Sequence, residues 1–165
     1  MSEMNIHFSS DKDYWETPDK LFDELNKEFD FIVDAACTSH NCKCPLGIAD
    51  NSLDRSWYSL GKTVFLNPPY GRGIGKWIKK AYEESLKGCT VVCLIPNRPT
   101  KAWFDCIYER TEGIYPYGAK TKKGVELRAL EKRVVFEIDG KPAPDKDGKP
   151  MPAPFPSAIV IFKGT

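Results

Sequence analysis

Long hydrophobic runs are missing from this chain of 165 residues. Nowhere does an apolar stretch approach the roughly 20 residues that a membrane-spanning helix needs. A positively charged segment leading into an apolar one is missing too, since residues 1–13 are polar, so neither a membrane protein nor an exported one is expected. The six cysteines (Cys37, Cys42, Cys44, Cys89, Cys93, Cys106) lack the paired Cys-x-x-Cys spacing of a structural zinc site, and Cys89 and Cys93 fall in or beside an apolar, strand-like run. Without a marker of export they read as reduced thiols, no metal is expected, and the chain reads as soluble and cytoplasmic. Length excludes something as well: 165 residues, 41% of them hydrophobic, build one α/β core but not two ordinary domains. Residues 1–165 therefore read as a single domain, with any second function confined to loops.

Net charge is also nearly absent, at +1, but it is unevenly divided. Residues 1–60 hold 5 Lys/Arg against 12 Asp/Glu, and residues 61–165 hold 19 against 11, giving −7 and +8. A basic half of this kind suits a polyanionic partner.

After a polar arm over 1–14, Thr17 can cap a helix that begins at Pro18, with Leu21, Phe22, Leu25 and Phe29 on one face. The apolar run 31–36 predicts a buried parallel strand that delivers Asp34 to its carboxyl end. A short strand near 46–49 and a helical turn near 53–58 follow. Thr63-Val-Phe-Leu66 predicts a strand running into Asn67-Pro68-Pro69-Tyr70 and then Gly71-Arg-Gly-Ile-Gly75. The helical period from Ile74 to Ser85 stops at Gly88, and Thr90–Ile95 is another strand. A helix over 101–110 and a strand-like stretch over 113–118 come next. Strand and helix alternate, which implies a parallel sheet. Arg133–Ile138 and Ala158–Phe162 then predict an antiparallel pair joined by the proline-rich segment 139–156, in which Asp139-Gly-Lys-Pro142 is nearly repeated as Asp147-Gly-Lys-Pro150. So long a connection is either disordered or in contact with something.

The strongest chemical signal is Asn67-Pro68-Pro69-Tyr70 at the carboxyl end of a strand, where ligands bind in open α/β sheets. An exocyclic amine conjugated with a ring is a poor nucleophile until its N–H groups are held by acceptors. The Asn67 side-chain oxygen and the Pro68 carbonyl, fixed by a prolyl-locked turn, are neutral acceptors of that kind. Tyr70 could stack on a base rotated out of a duplex. A plain turn is the competing reading, and the strand before the motif and the Gly-rich exit after it count against that.

Across the chain, Trp15-Glu-Thr-Pro18 with Leu21-Phe22, Asp34-Ala-Ala36, Leu53 and Trp57, Asn67-Pro-Pro-Tyr-Gly71, Trp77, Leu94-Ile-Pro96, Trp103-Phe104, Arg133 and Phe136, and Pro154-Phe-Pro-Ser157 stand in an order that resembles the phage-type DNA N-6-adenine-methyltransferase (Dam) family. The resemblance implies a Rossmann-like class I methyltransferase fold, mostly parallel and closed by a C-terminal antiparallel hairpin. It implies S-adenosylmethionine as methyl donor, double-stranded DNA as partner, and a bacterial or phage-infected cell as setting. By the same resemblance, Trp15, Thr17, Pro18, Asp34, Ala35, Asp50, Asn51 and Asn67 bind the cofactor, and the acceptor base is adenine. Cytosine-N4 methylation and a nucleic-acid-binding domain without activity remain as alternatives. The glycine that many class I methyltransferases carry after the first strand is replaced here by Ala35-Ala36-Cys37-Thr38. For DNA, the basic stretch 118–131 and its extension to 133 offer Lys120, Lys122, Lys123, Arg128 and Arg133, the loop 139–156 is expected to face the duplex with it, and Arg72 and Arg98 sit in loops on the side of Asn67.

Overall fold

The structure is a computed structural model that describes residues 15–110 and 120–165. The polar arm 1–14, the strand-like stretch 113–118 and the first two residues of the basic stretch lie outside the described residues.

Six strands form one sheet: β1 (Val33–Asp34), β2 (Leu46–Gly47), β3 (Thr63–Leu66), β4 (Thr90–Pro96), β5 (Val125–Ala129) and β8 (Ser157–Phe162). Across the sheet they stand in the order β2-β1-β3-β4-β8-β5. β2, β1, β3 and β4 are parallel, and β8 lies antiparallel between β4 and β5. Both faces of the centre are covered. In β4, Val91, Cys93 and Ile95 face α2 (Ile74–Leu86) and α3 (Lys101–Cys106), whereas Val92 and Leu94 face α1 (Asp19–Phe29) and the loops that follow β5. Double coverage explains why β4 and β8 read as continuous apolar runs without alternation. Each large side chain so buried contributes about 1.5–3 kcal/mol, which fixes the strand ends that carry the candidate site residues.

The structure corrects three expectations. Thr17 does not cap α1: the N-cap is Pro18, which has no side-chain cap, and the Asp19 N–H is satisfied by Glu137 Oε1 at 2.9 Å from the far end of the chain. Arg133–Ile138 does not pair with Ala158–Phe162. β5 takes that place, in register from Val125 opposite Phe162 to Ala129 opposite Ala158, while β6 (Glu137–Ile138) pairs with β7 (Lys141–Pro142) in a small separate hairpin. Cys37 and Cys42 are joined in a disulfide, although Cys44, Cys89, Cys93 and Cys106 are free thiols as expected.

The segment 139–156 folds back on itself. Ala143 N–H donates to the Phe136 carbonyl, Met151 N–H to that of Ala143 and Ala153 N–H to that of Val134, each at 2.8 Å. Ala143, Ala153 and Phe155 are thereby buried, the last two in the layer on the α1 side of the sheet. Among the described residues no helix is long and apolar enough to cross a membrane.

Candidate active site

The chain leaves β3 at Leu66 and turns at once through Asn67, and Gly71, with φ of +134°, permits the reversal that starts α2. Asn67 is held on both sides of its amide. Its Nδ2 donates to the Trp15 carbonyl at 3.3 Å, and its Oδ1 accepts from the Tyr70 hydroxyl at 2.9 Å. The bond to Trp15 decides which way the amide faces, because a carbonyl accepts only from the NH2 end. One lone pair of Oδ1 is left for another donor. The segment before α1 is thus part of the site's framework.

Tyr70 is buried, and its hydroxyl also lies 3.0 Å from the Leu94 carbonyl. Burial raises that phenol well above its ordinary range, so it stays protonated. The Tyr70 ring meets Phe136 and Phe155 edge-on, at 5.8 and 5.5 Å between centroids, and the Arg98 guanidinium covers Phe155 at 5.1 Å. With 8% of its surface exposed, Tyr70 has no open face for a flat ligand in this conformation.

On the other side of Asn67 a cavity of about 450 Å3 opens between the carboxyl ends of β1 and β3. Trp15, Ala36, Asn51, Asn67 and Pro69 line it, which unites two distant stretches of the chain with the turn after β3. Cys37, Thr38 and Asn41 from the loop after β1, Ile48 after β2, Leu53 and Asp54 from the 3-10 turn at Ser52–Asp54 and Trp77 from α2 add to the wall. Behind it, the Ser52 hydroxyl donates to the Ala35 carbonyl at 2.5 Å, and the Trp57 indole N–H donates to Ser52. These bonds seat the 3-10 turn on β1.

Asp34 and Thr17 face a small adjoining recess shared with Trp15, Ala36 and Asn67. Asp34 spans the loop after β1: its Oδ1 accepts from Ala36 N–H at 3.3 Å and its Oδ2 from Lys43 N–H at 3.0 Å. Burial pushes the Asp34 carboxyl up from 3.8 to about 6, against the opposing pull of those two N–H groups and of the Lys43 charge. Lys43 itself is paired with Asp19 at 2.6 Å.

Of the residues expected at the cofactor, Trp15, Asn51 and Asn67 line the cavity, and Thr17 and Asp34 line the recess beside it. Pro18, Ala35, Asp50 and Pro68 do not line the cavity: Pro18 starts α1, Ala35 and Pro68 are buried, and Asp50 is exposed. The sequence reading missed Ala36, Thr38, Asn41, Asp54 and Trp77 as cavity residues. Ala36 and Trp77 carried a signal, through the family pattern.

The basic residues divide. Arg72 and Arg98 follow β3 and β4 on the side of Asn67, and Arg133 follows β5 there, with its Nη1 donating to the Ala153 carbonyl at 3.4 Å. Arg128 is occupied: it forms a two-pronged pair with Glu28 at 2.7 and 2.8 Å and another bond to Glu126. Lys120, Lys122 and Lys123 precede β5, whose first residue is level with Phe162 and so with Val91 near the start of β4. They lie toward the opposite end of the sheet from Asn67, and Lys122 rests over the Tyr82 ring at 5.6 Å. Among the described residues no group of His, Cys, Asp and Glu is arranged to hold a metal ion.

A mostly parallel sheet with an antiparallel last strand inserted beside its edge, and a cleft at the carboxyl ends of its first and third strands, defines a Rossmann-like α/β protein. The family model for DNA N-6-adenine-methyltransferase (Dam) matches residues 6–143, and the chain belongs to that family. It is similar to the DNA N-6-adenine-methyltransferase of Haemophilus phage HP1 (strain HP1c1), 31% identical over 111 residues, or 64% of this chain and 63% of that protein. It is similar also to the DNA N-6-adenine-methyltransferase of Escherichia phage T1, 32% identical over 96 residues, or 56% of this chain and 40% of that protein. The alignments thus span less than two thirds of either relative. No solved structure matches the chain.

Proposed function

We propose that this protein methylates N6 of adenine in double-stranded DNA, with S-adenosylmethionine as donor, on a base rotated out of the helix. The observation that carries the reading is Asn67: a neutral acceptor at a strand end, its amide oriented by the Trp15 carbonyl, lying on the wall of a cofactor-sized cavity. The names of the family and of both relatives favour adenine over cytosine.

The residues fit the donor. A volume of about 450 Å3 lies within the usual range of roughly 300–1,000 Å3 for small-molecule sites. Ala36, Ile48, Leu53 and Trp77 offer apolar surface to a purine, and Thr38, Asn41, Asn51 and Asp54 offer polar groups to a ribose and an amino-acid tail. When bound, S-adenosylmethionine supplies an electrophilic methyl group on a sulfonium sulfur.

The chain's own part is orientation. Asn67 Oδ1 accepts a hydrogen bond from the target amine, with the Pro68 carbonyl as second acceptor, so that the nitrogen lone pair turns out of conjugation. The acceptors gain strength as positive charge grows on nitrogen, which favours the transition state over the ground state. Because Tyr70 is buried against Phe136 and Phe155, stacking on the base requires this aromatic group to open as the base arrives. Arg72, Arg98 and Arg133 lie on the face where the DNA backbone would run, with segment 139–156 as its rim. The reaction belongs in the cytoplasm of a bacterial or phage-infected cell, where the DNA is.

Incubation of unmethylated duplex DNA with the full chain and isotopically labelled S-adenosylmethionine, followed by mass analysis of the nucleosides, tests the reading. Labelled N6-methyl-2′-deoxyadenosine is expected. Label in N4-methylcytosine would overturn the choice of base, and unlabelled DNA despite measurable cofactor binding would overturn the enzymatic reading.

A further inference from the structure

The loop after β1 lacks the glycine that many class I methyltransferases carry there, yet it lines the cavity through Ala36, Cys37, Thr38 and Asn41. Its shape is held by nested clasps. The outer one is the Asp34 carboxylate, which bonds Ala36 N–H and Lys43 N–H. Inside it the Cys37–Cys42 disulfide closes the loop across a sequence separation of 5. Innermost, Asn41 Oδ1 accepts from Thr38 N–H at 2.6 Å. β2 accommodates the disulfide at Gly47, opposite Asp34 in the sheet: a Cβ there would collide with the Cys42 sulfur and stand 2.7 Å from that of Cys37.

Resting on the cofactor reading above, we propose that the Cys37–Cys42 disulfide, seated on Gly47, positions the cofactor loop in place of glycine and makes cofactor binding depend on the redox state of the pair. Cys42 is exposed and Cys37 half-buried, so a small thiol reaches the Cys42 sulfur first. The thiolate of a small-molecule thiol attacks Cys42 Sγ; the S–S bond breaks, a mixed disulfide forms on Cys42, and the Cys37 thiolate leaves and takes a proton. A second thiolate then attacks the sulfur of the small molecule in that mixed disulfide, which frees the Cys42 thiolate to be protonated. In sum, one protein disulfide and two thiols become two protein thiols and one small-molecule disulfide, with two electrons and two protons transferred. Cys44 does not compete, since burial and the neighbouring Asp34 carboxylate push its thiol up to about 12 and keep it protonated. Reduction releases Cys37, Thr38 and Asn41 from one fixed arrangement, and the cofactor must then order them on binding. A disulfide in an intracellular protein is typically reversible in this way.

The test uses the full chain equilibrated with either glutathione disulfide or a dithiol reductant. Alkylation of thiols under denaturing conditions is read by mass, and S-adenosylmethionine affinity by calorimetry. The oxidised form should leave Cys37 and Cys42 unlabelled, and reduction should weaken affinity by roughly fivefold or more, the lower end of ordinary coupling. Cys37→Ser/Cys42→Ser should match the reduced protein and ignore the reductant. The comparison of oxidised with reduced wild type stands by itself should that variant fail to fold. Labelling of all cysteines after oxidation, equal affinity in both forms, or a variant that still responds to reductant would each overturn the proposal. Equal affinity in both forms leaves the methyltransferase reading intact, whereas no affinity in either form removes that reading and the redox dependence with it.

Discussion

The two sides of Asn67 are built differently. Toward β1 and β2 the wall mixes polar and apolar groups and is open and preformed, with about 450 Å3 of space and a loop fixed by Asp34 and a disulfide. Toward β8 the corresponding ground is filled by Tyr70, Phe136 and Phe155 and covered by Arg98. The contrast teaches an order of events. On the proposed reading a small cofactor enters without rearrangement, whereas a base displaces packed aromatic rings, with binding energy from the rest of the DNA driving the opening. Asn67 belongs to both sides, through Trp15 on one and Tyr70 on the other.

Removing that shared residue should separate the two sides most sharply. On the proposed reading Asn67→Ala deletes an acceptor that matters more in the transition state than in the ground state, and the loss of one such preorganised group costs about 100- to 1,000-fold in kcat. Affinity for S-adenosylmethionine should stay within a few-fold, because the remaining cavity wall is untouched. Single-turnover methylation and calorimetry on the same preparation check this. Methylation near the wild-type rate would remove Asn67 from the chemistry, and a lost cofactor site would show the two sides to be one unit.

Legibility in the sequence follows the same division. β3, β4 and α2 can be read because apolar periodicity and Gly punctuation agree there, and the strand end at Leu66 places Asn67 correctly. The preformed side is harder. β2 is a 2-residue strand with both residues exposed, and the 3-10 turn owes its place to hydrogen bonds of Ser52 and Trp57 that no local pattern announces. β5 is hidden by its charge. Val125, Leu127 and Ala129 alternate with Glu126 and Arg128 as an edge strand should, but the density of basic residues around them masks that period and suggests a surface stretch instead. The disulfide escapes the sequence because its context argues for reduced thiols, and only the fold brings Cys37 and Cys42 together over Gly47.

A smaller effect should expose how tightly the preformed side is held. A carboxyl whose pKa is about 6 in the fold and 3.8 in the unfolded chain favours folding most below pH 3.8, and that contribution is lost as pH rises through about 6. At about 1.4 kcal/mol per pH unit the loss is on the order of 3 kcal/mol, and above that pH it is constant. Asp34→Asn cannot titrate, so its stability relative to wild type should rise by about that amount between pH 4 and pH 7. The amide still offers only one acceptor to the Ala36 and Lys43 N–H groups. The variant should therefore bind S-adenosylmethionine more weakly at every pH. Denaturant unfolding of both proteins across the range measures the first effect, and a constant difference would show that Asp34 does not titrate in this window.

The smallest effect concerns DNA, and it asks on which side of the molecule the duplex lies. The distribution of charge along the chain favours Lys120, Lys122 and Lys123, but β-sheet register places them toward the amino end of β4, away from Asn67. Arg72 and Arg98 follow β3 and β4 at the carboxyl end, beside the aromatic group that must open. Every cation withdrawn from a DNA phosphate should flatten the dependence of log affinity on log salt by about 0.9. Arg72→Gln/Arg98→Gln should accordingly reduce the slope by nearly two such steps, since glutamine keeps part of the side chain over Phe155 while removing the charge. Neutralising Lys120, Lys122 and Lys123 together should change it by less than one step. Titration of one duplex at several salt concentrations with both variants decides between the two faces. Equal slopes in both would extend the interface along the whole sheet edge, and a larger drop in the lysine variant would return DNA binding to the basic stretch before β5, with Arg98 left as a cover for Phe155 alone.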